Sequence, residues 1–363
     1  MPNHDYTTQR MFDSLGTLLL SSDKDERFYD EVFNLATFSR EQFCDFLKQA
    51  EKQRVLRRVL NALRRSLPDS SRDLLAECDL QLAREQERVK VALTCLQEIL
   101  ARFEQKRLPV TVMKTLDHWP DTGSDLDLLT DTSDSQVCQI FETELKAERQ
   151  PQSWGDRLAH KFNFRMPGLG ELVEVHVGCL GQTGEQNALA LAVLSRCARE
   201  NYDSYSIPVP AMEDRIVIAT LQRMYRHYYI RLTDIVNIFR LLKESLVGFH
   251  RLESIAASAS VWPGVATLVS VVAQHAVRYG GEAVLLPEPV QKAARFDSTR
   301  TYLDRGFVRV PLMPEATDLY LHQLACNGRN HNFEAMARLS LLPVLATAAF
   351  VSFRLTGNDK GIW

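Results

Sequence analysis

The spacing of apolar residues changes twice along this 363-residue chain. Leu56, Val59, Leu60, Leu63 and Leu67 recur every three or four positions, the period that gathers side chains on one helix face. Arg54, Arg57, Arg58, Arg64 and Arg65 fall mostly on the other side and read as a solvated face. Ser39, followed by Glu41 and Gln42, is placed to cap an earlier helix. Leu67-Pro68-Asp69-Ser70-Ser71 breaks the run, and a second helical period follows over about 71–106, through Leu74, Leu82, Val89, Leu93, Leu96, Ile99 and Leu100. Residues 24–107 are expected to be helical and to close as an α-hairpin.

Near residue 109 the period shortens to two. Pro109-Val110-Thr111-Val112-Met113-Lys114 is short and β-branched and predicts a strand. Further strands are expected at Asp125–Thr130, over 157–166 and over 171–177, with a helix over 133–149. The helical period returns after Pro210, through Ile216, Ile218, Leu221, Met224, Tyr228, Leu232, Ile235, Ile238 and Leu241, and predicts a long helical stretch over 211–247. Helices are expected near 252–278 and 314–326. The apolar stretch 339–353 is shorter than the roughly 20 residues that span a bilayer and reads as a buried helix. The whole pattern is α+β: an N-terminal helical region at 1–106, a small α/β core at 107–205 and a mostly helical domain at 206–363.

Composition narrows the classes. Apolar residues make up 45% and charged residues 25%, as in ordinary soluble proteins. A net charge of −3 supplies no global field toward nucleic acid or a membrane. Seven cysteines form no CxxC pair, and nine histidines show no HExxH spacing, so neither a disulfide framework nor a zinc motif is expected. Met1-Pro2-Asn3-His4-Asp5 is polar and has no apolar signal region. A cytoplasmic location without membrane contact is the expectation.

Candidate chemistry concentrates at Gly123-Ser124-Asp125-Leu126-Asp127-Leu128-Leu129. In a strand, Asp125 and Asp127 project to one face while Leu126 and Leu128 enter a core. Two adjacent carboxylates repel each other, and a hard divalent cation compensates them; magnesium takes one or two carboxylates and leaves positions for water and phosphate. In Glu171-Leu172-Val173-Glu174-Val175-His176-Val177, the valines share one face and Glu174 and His176 the other. Should the two strands be neighbours, Glu174 adds a third carboxylate, with Glu171 as its rival.

Met113-Lys114-Thr115, Ser124-Asp125-Leu126-Asp127 and Val173-Glu174-Val175-His176 together resemble the DNA polymerase β-like nucleotidyltransferase superfamily, in particular its bacterial uncharacterised nucleotidyltransferase branch. So does His227-Tyr228-Tyr229-Ile230-Arg231-Leu232-Thr233-Asp234-Ile235, and the resemblance covers about 107–245. It implies a small mixed-sheet nucleotidyltransferase core. It also implies Asp125, Asp127 and Glu174 as catalytic ligands of Mg2+ or Mn2+, and Lys114, Thr115, Gly123, Ser124 and Arg231 as nucleotide contacts. His176 and Asp234 would be substrate contacts or bases. The superfamily usually places Gly-Ser or Gly-Gly about a dozen residues before the first aspartate. Here Lys114 and Thr115 occupy that neighbourhood and offer a charge and a hydroxyl instead.

The activity implied is transfer of a nucleoside monophosphate from a triphosphate, ATP favoured, to an acceptor, with release of pyrophosphate. A small-molecule acceptor is favoured over nucleic acid or protein. Two other classes compete: an inactive binding module of the same fold, and a DxD glycosyltransferase. The second is disfavoured because helices, not a βαβ nucleotide-binding region, precede the motif.

Overall fold

The computed structural model describes residues 3–244, 246–345, 347 and 348. Five helices lead: α1 (Asn3–Leu20), α2 (Glu26–Ala36), α3 (Arg40–Lys52), α4 (Leu56–Ser66) and α5 (Arg72–Gln105). Ser39 caps α3 reciprocally: its Oγ accepts from Gln42 N–H, and Gln42 Oε1 accepts from Ser39 N–H at 2.9 Å. Helices α4 and α5 form the expected hairpin, whereas α1 precedes the region read as helical.

Arg64 and Arg65 are exposed as the solvated-face reading expects, whereas Arg54, Arg57 and Arg58 are partly buried, which corrects that reading for them. The Arg57 guanidinium donates to Pro120 C=O at 2.7 Å, and Arg58 pairs with Asp121 at 3.2 Å. These contacts tie α4 to the loop that leads into the DxD strand.

The sheet comprises β1 (Val110–Met113), β2 (Asp125–Thr130), β3 (Glu148–Arg149), β4 (Lys161–Arg165) and β5 (Leu172–Val177), in the order β1-β2-β5-β4-β3. Strands β2 and β5 run parallel; the other pairs are antiparallel. The fold is thus α+β around a mixed sheet. The helix expected over 133–149 stops early. Helix α6 (Asp134–Cys138) widens into a turn at Gln139–Glu144, Lys146 takes a left-handed φ of 55°, and β3 then pairs with β4. Short α7 (Trp154–Leu158) precedes β4, which begins later than expected.

After α8 (Asn187–Arg196) comes a hairpin that the sequence reading does not contain, β6 (Ala198–Tyr202) and β7 (Tyr205–Val209), turning at Asp203 with φ 51°. Its Pro208 C=O accepts from the Thr111 hydroxyl of β1 at 3.1 Å. The stretch expected to be helical over 211–247 is interrupted. Helix α9 (Met212–Gln222) runs into a wide turn at Arg223–His227, Tyr228 is left-handed at φ 54°, and β8 (Tyr229–Ile230) precedes α10 (Leu232–Lys243). The break lets β8 join a small sheet through β10.

Helices α11 (Phe249–Ser258), α12 (Trp262–Arg278) and α13 (Glu288–Ala293), strands β9 (Tyr302–Asp304) and β10 (Phe307–Arg309), and helices α14 (Thr317–Arg329) and α15 (Phe333–Leu339) complete the described chain. Of the stretch read as a buried helix over 339–353, Leu339 is buried but Val344 is exposed, and positions after 348 lie outside the described residues. No described helix is long and apolar enough to cross a membrane.

Two hydrophobic clusters organise these elements. In the first, Phe12, Leu15, Phe43, Phe46 and Leu60 from the N-terminal helices pack with Ile235, Leu268 and Val272 from the C-terminal ones. The second joins Val89 to Phe103 of α5 with Ile140, Phe141, the apolar sheet face and the β6–β7 hairpin. The 34-residue α5 belongs to both clusters. Met113 and Leu129, on the other face of the sheet, belong to the first. The polar face therefore looks toward the helices that follow residue 210.

Candidate active site on the polar face of the sheet

Alternation puts Leu126 and Leu128 of β2, Val173 and Val175 of β5, and Phe162 and Phe164 of β4 in the second cluster. The intervening residues define the site. Parallel pairing sets Asp127 opposite Glu174 and Leu129 opposite His176. Ligand atoms of Asp127, Glu174 and His176 lie within 4.8 Å of one another, a grouping that suits a metal ion. Asp125 shares the face two residues upstream but stands outside that grouping; its Oδ2 accepts from the Ser124 hydroxyl at 2.9 Å. Burial, with the charge of Asp127 adding to it, pushes the Asp125 carboxyl up from its ordinary value.

Two ammonium groups enter the cluster. Lys114 Nζ lies 2.5 Å from Asp127 Oδ1 and 3.6 Å from Glu174 Oε1. Lys161 Nζ lies 2.8 Å from Glu174 Oε2 and 3.1 Å from Asp156. Burial alone would raise the pKa of Glu174; Lys161, Lys114 and His176 outweigh it and hold the carboxyl well below its usual range. His176 Nε2 lies 2.7 Å from Glu174 Oε1 and 3.3 Å from Lys114 Nζ. That leaves Nδ1, which is buried without a partner.

Lys161 is the residue that sequence reading missed. A lysine in Lys161-Phe162-Asn163-Phe164-Arg165 looks like a surface residue, yet it is almost wholly buried. The alternation with Phe162 and Phe164 was its signal, because it puts Lys161 on the face of Glu174 once β4 pairs with β5.

Other expected residues do different work. The Thr115 hydroxyl donates to Asp125 C=O at 3.0 Å and accepts from Asp127 N–H at 2.8 Å. It is buried, and both bonds fix β2. Gly123 N–H donates to Thr115 C=O, and an added Cβ would come within 3.2 Å of Asp125 C=O. Its role is close packing of the turn. Ser124 is exposed beside Asp125.

Arg231 and Asp234 do not share a helix face as expected. Arg231 precedes α10, and its N–H donates to Asp234 Oδ2 at 2.8 Å. Asp234 also pairs with buried Arg223 at 2.7 Å through the same oxygen, which makes it a helix cap tied to the chain's own groups. Arg231 lies against Tyr229 and Phe307. Glu171 is bound by Arg88 at 2.6 Å, away from the trio.

A cleft of about 690 Å³ opens at the Ser124 end of β2, walled by Arg54, Leu56, Arg88, Thr122, Ser124 and Gly170 among others. Arg54 has no carboxylate at ion-pair distance among the described residues. Burial lowers its pKa, and the charges of Arg231 and Arg88 lower it further. Arg88 is itself paired with Glu85 and Glu171, and Glu51, Glu87 and Asp121 also line the cleft, so its wall carries charges of both signs. At the other side, Arg226 lies with Lys114, His176 and Gln182 around a space of about 30 Å³.

No family model matches the chain, and no curated protein matches it. Among solved structures, the antibiotic-resistance factor ANT(2'')-Ia is similar over 47% of this chain and 90% of its own, at 16% identity and a TM-score of 0.34.

Proposed function

We propose that this chain is a nucleotidyltransferase that moves a nucleoside monophosphate from a triphosphate, ATP favoured, to a small-molecule acceptor. The observation that carries this reading is the in-register parallel pairing of β2 with β5. It brings Glu174 beside Asp127 on the face that also bears Asp125, whose neighbour Ser124 lines a cleft of about 690 Å³. The residues at 107–205 would form the catalytic unit, and the flanking helices would close its walls.

Asp125 and Asp127 are the carboxylates fitted to hold Mg2+ or Mn2+. When bound, the ion would neutralise phosphate charge and orient the reacting oxygens. The chain's own residues supply the rest. Arg54 and Arg231 carry positive charge for the phosphates, and Lys114 adds a third cation. Gly123 and Ser124 shape the approach to Asp125. His176 and Lys161 hold Glu174 ionised and in place. In the reaction an oxygen or nitrogen of the acceptor bonds to the α-phosphorus and gives up its proton, as the bond to the bridging oxygen of pyrophosphate breaks. Positioning and charge neutralisation dominate such a displacement.

The test is label transfer from α-phosphate-labelled ATP, with Mg2+, to a pool of cellular metabolites. Asp125→Asn and Asp127→Asn should each lower transfer by at least roughly 100-fold while the circular dichroism spectrum stays unchanged. Equal transfer by both variants and wild type would refute the assignment.

A second reading, a binding module that performs no transfer, draws support from one feature. The oxygens of Glu174 already lie 2.7 Å from His176 and 2.8 Å from Lys161. Equilibrium dialysis separates the two: failure to retain ATP with Mg2+ or Mn2+ favours the module.

A further inference from the structure

We propose that Lys114 is a built-in cation that takes the place of one divalent ion, so that this site binds one metal ion rather than a pair. This rests on the nucleotidyltransferase reading and deepens it. The ammonium lies between the two carboxylates that β2 and β5 hold opposite each other, 2.5 Å from Asp127 and 3.6 Å from Glu174. Lys161 holds the remaining oxygen of Glu174 at 2.8 Å. Each oxygen of Glu174 thus already faces a close nitrogen, Oε1 that of His176 and Oε2 that of Lys161, which makes it a weaker candidate ligand than Asp125.

Charge gives the same answer. Asp125, Asp127, Glu174 and Asp156 are four carboxylates, and the ammoniums contacting them directly are Lys114 and Lys161. Lys114 sits on Asp127, and Lys161 is shared by Glu174 and Asp156, so two negative charges are left over, the number one divalent ion neutralises, and Asp125 is the carboxylate without an ammonium contact.

The backbone supplies an independent argument. Lys114 adopts φ 61°, inside a three-residue turn closed by Thr115 N–H donating to Met113 C=O at 2.6 Å. This left-handed region costs an L-residue energy and costs glycine none. A position that suits glycine instead carries a lysine whose tip ends between the carboxylates.

The experiment is Mn2+ titration of the full chain, with free ion followed by electron paramagnetic resonance, with and without a non-hydrolysable ATP analogue. Wild type should bind one ion per chain at this site. Lys114→Gly removes the ammonium and suits the local backbone, so folding is spared. It should bind a second ion, or bind the first about tenfold more tightly. Asp127→Asn should lose the wild-type ion, which assigns the count to this face. Two equivalent ions in wild type would overturn the inference and leave the nucleotidyltransferase reading standing. Unchanged stoichiometry and affinity in Lys114→Gly would do the same. No ion in wild type, even with the analogue, would overturn both.

Discussion

Leu126, Leu128, Phe162, Phe164, Val173 and Val175 cover one face of the five-stranded sheet, while Asp125, Asp127, Lys161, Glu174 and His176 cover the other. The same strands build both. On the first face every side chain gains by leaving water, and aromatic rings stack, as Phe141 does on Phe164 at 4.3 Å. On the second, each charge pays for desolvation and recovers it only through a neighbour of opposite sign. The apolar face is thus expected to carry stability, and the polar face to carry chemistry at small net stability. The difference also explains why two ammonium groups stand among the carboxylates of the polar face. Without Lys114 and Lys161, three carboxylates would share a half-buried surface.

The sharpest way to break this contrast is on the apolar side. Phe164→Ala removes a fully buried ring from between Phe141 and Phe162. A loss of about 3–5 kcal/mol is expected, from transfer and cavity terms together. Urea denaturation would read it as a lowered midpoint with little change in slope. A loss below about 1 kcal/mol would mean that this face is not the stabilising one.

On the polar side, Glu174→Gln should cost less, about 2–3 kcal/mol, because Lys161 keeps Asp156 at 3.1 Å after losing its other partner. The pH dependence has a definite sign. The folded Glu174 carboxyl titrates below its ordinary value of 4.5. Its contribution is therefore complete above that value and disappears as pH falls through the folded pKa. Wild type should lose stability over this acidic window, and the variant should lose less. Parallel curves of urea midpoint against pH would show that Glu174 is not held ionised by its neighbours.

How much of this was legible in the sequence follows from how far each signal reaches. The strand at Asp125–Thr130 was legible because acidic and apolar positions alternate from Asp125 to Leu128 and Leu129 prolongs the apolar run. The valines at 173, 175 and 177 likewise put Glu174 and His176 on the correct face. Lys161 escaped because a lone strand says nothing about its partner; only the register with β5 turns an apparent surface lysine into a buried one. The break at Tyr228 escaped because apolar period continues through it, and a left-handed tyrosine has no compositional mark. Asp234 was misread because spacing of three fits a shared helix face and also a cap at the helix start. Period alone does not separate them.

Thr115 tests the finest distinction, between a residue that touches substrate and one that supports the strand which does. Its hydroxyl satisfies two backbone groups of β2, one beside each aspartate. Thr115→Val keeps the shape and removes those bonds, leaving a buried N–H and C=O short of partners. About 1–3 kcal/mol should be lost. Thr115→Ser retains the hydroxyl and should cost less than about 1 kcal/mol. Were the hydroxyl a phosphate ligand instead, Thr115→Val would weaken ATP binding without moving the urea midpoint. Measuring both on the two variants separates the roles, because only a strand-fixing hydroxyl makes the midpoint follow the loss of two backbone bonds.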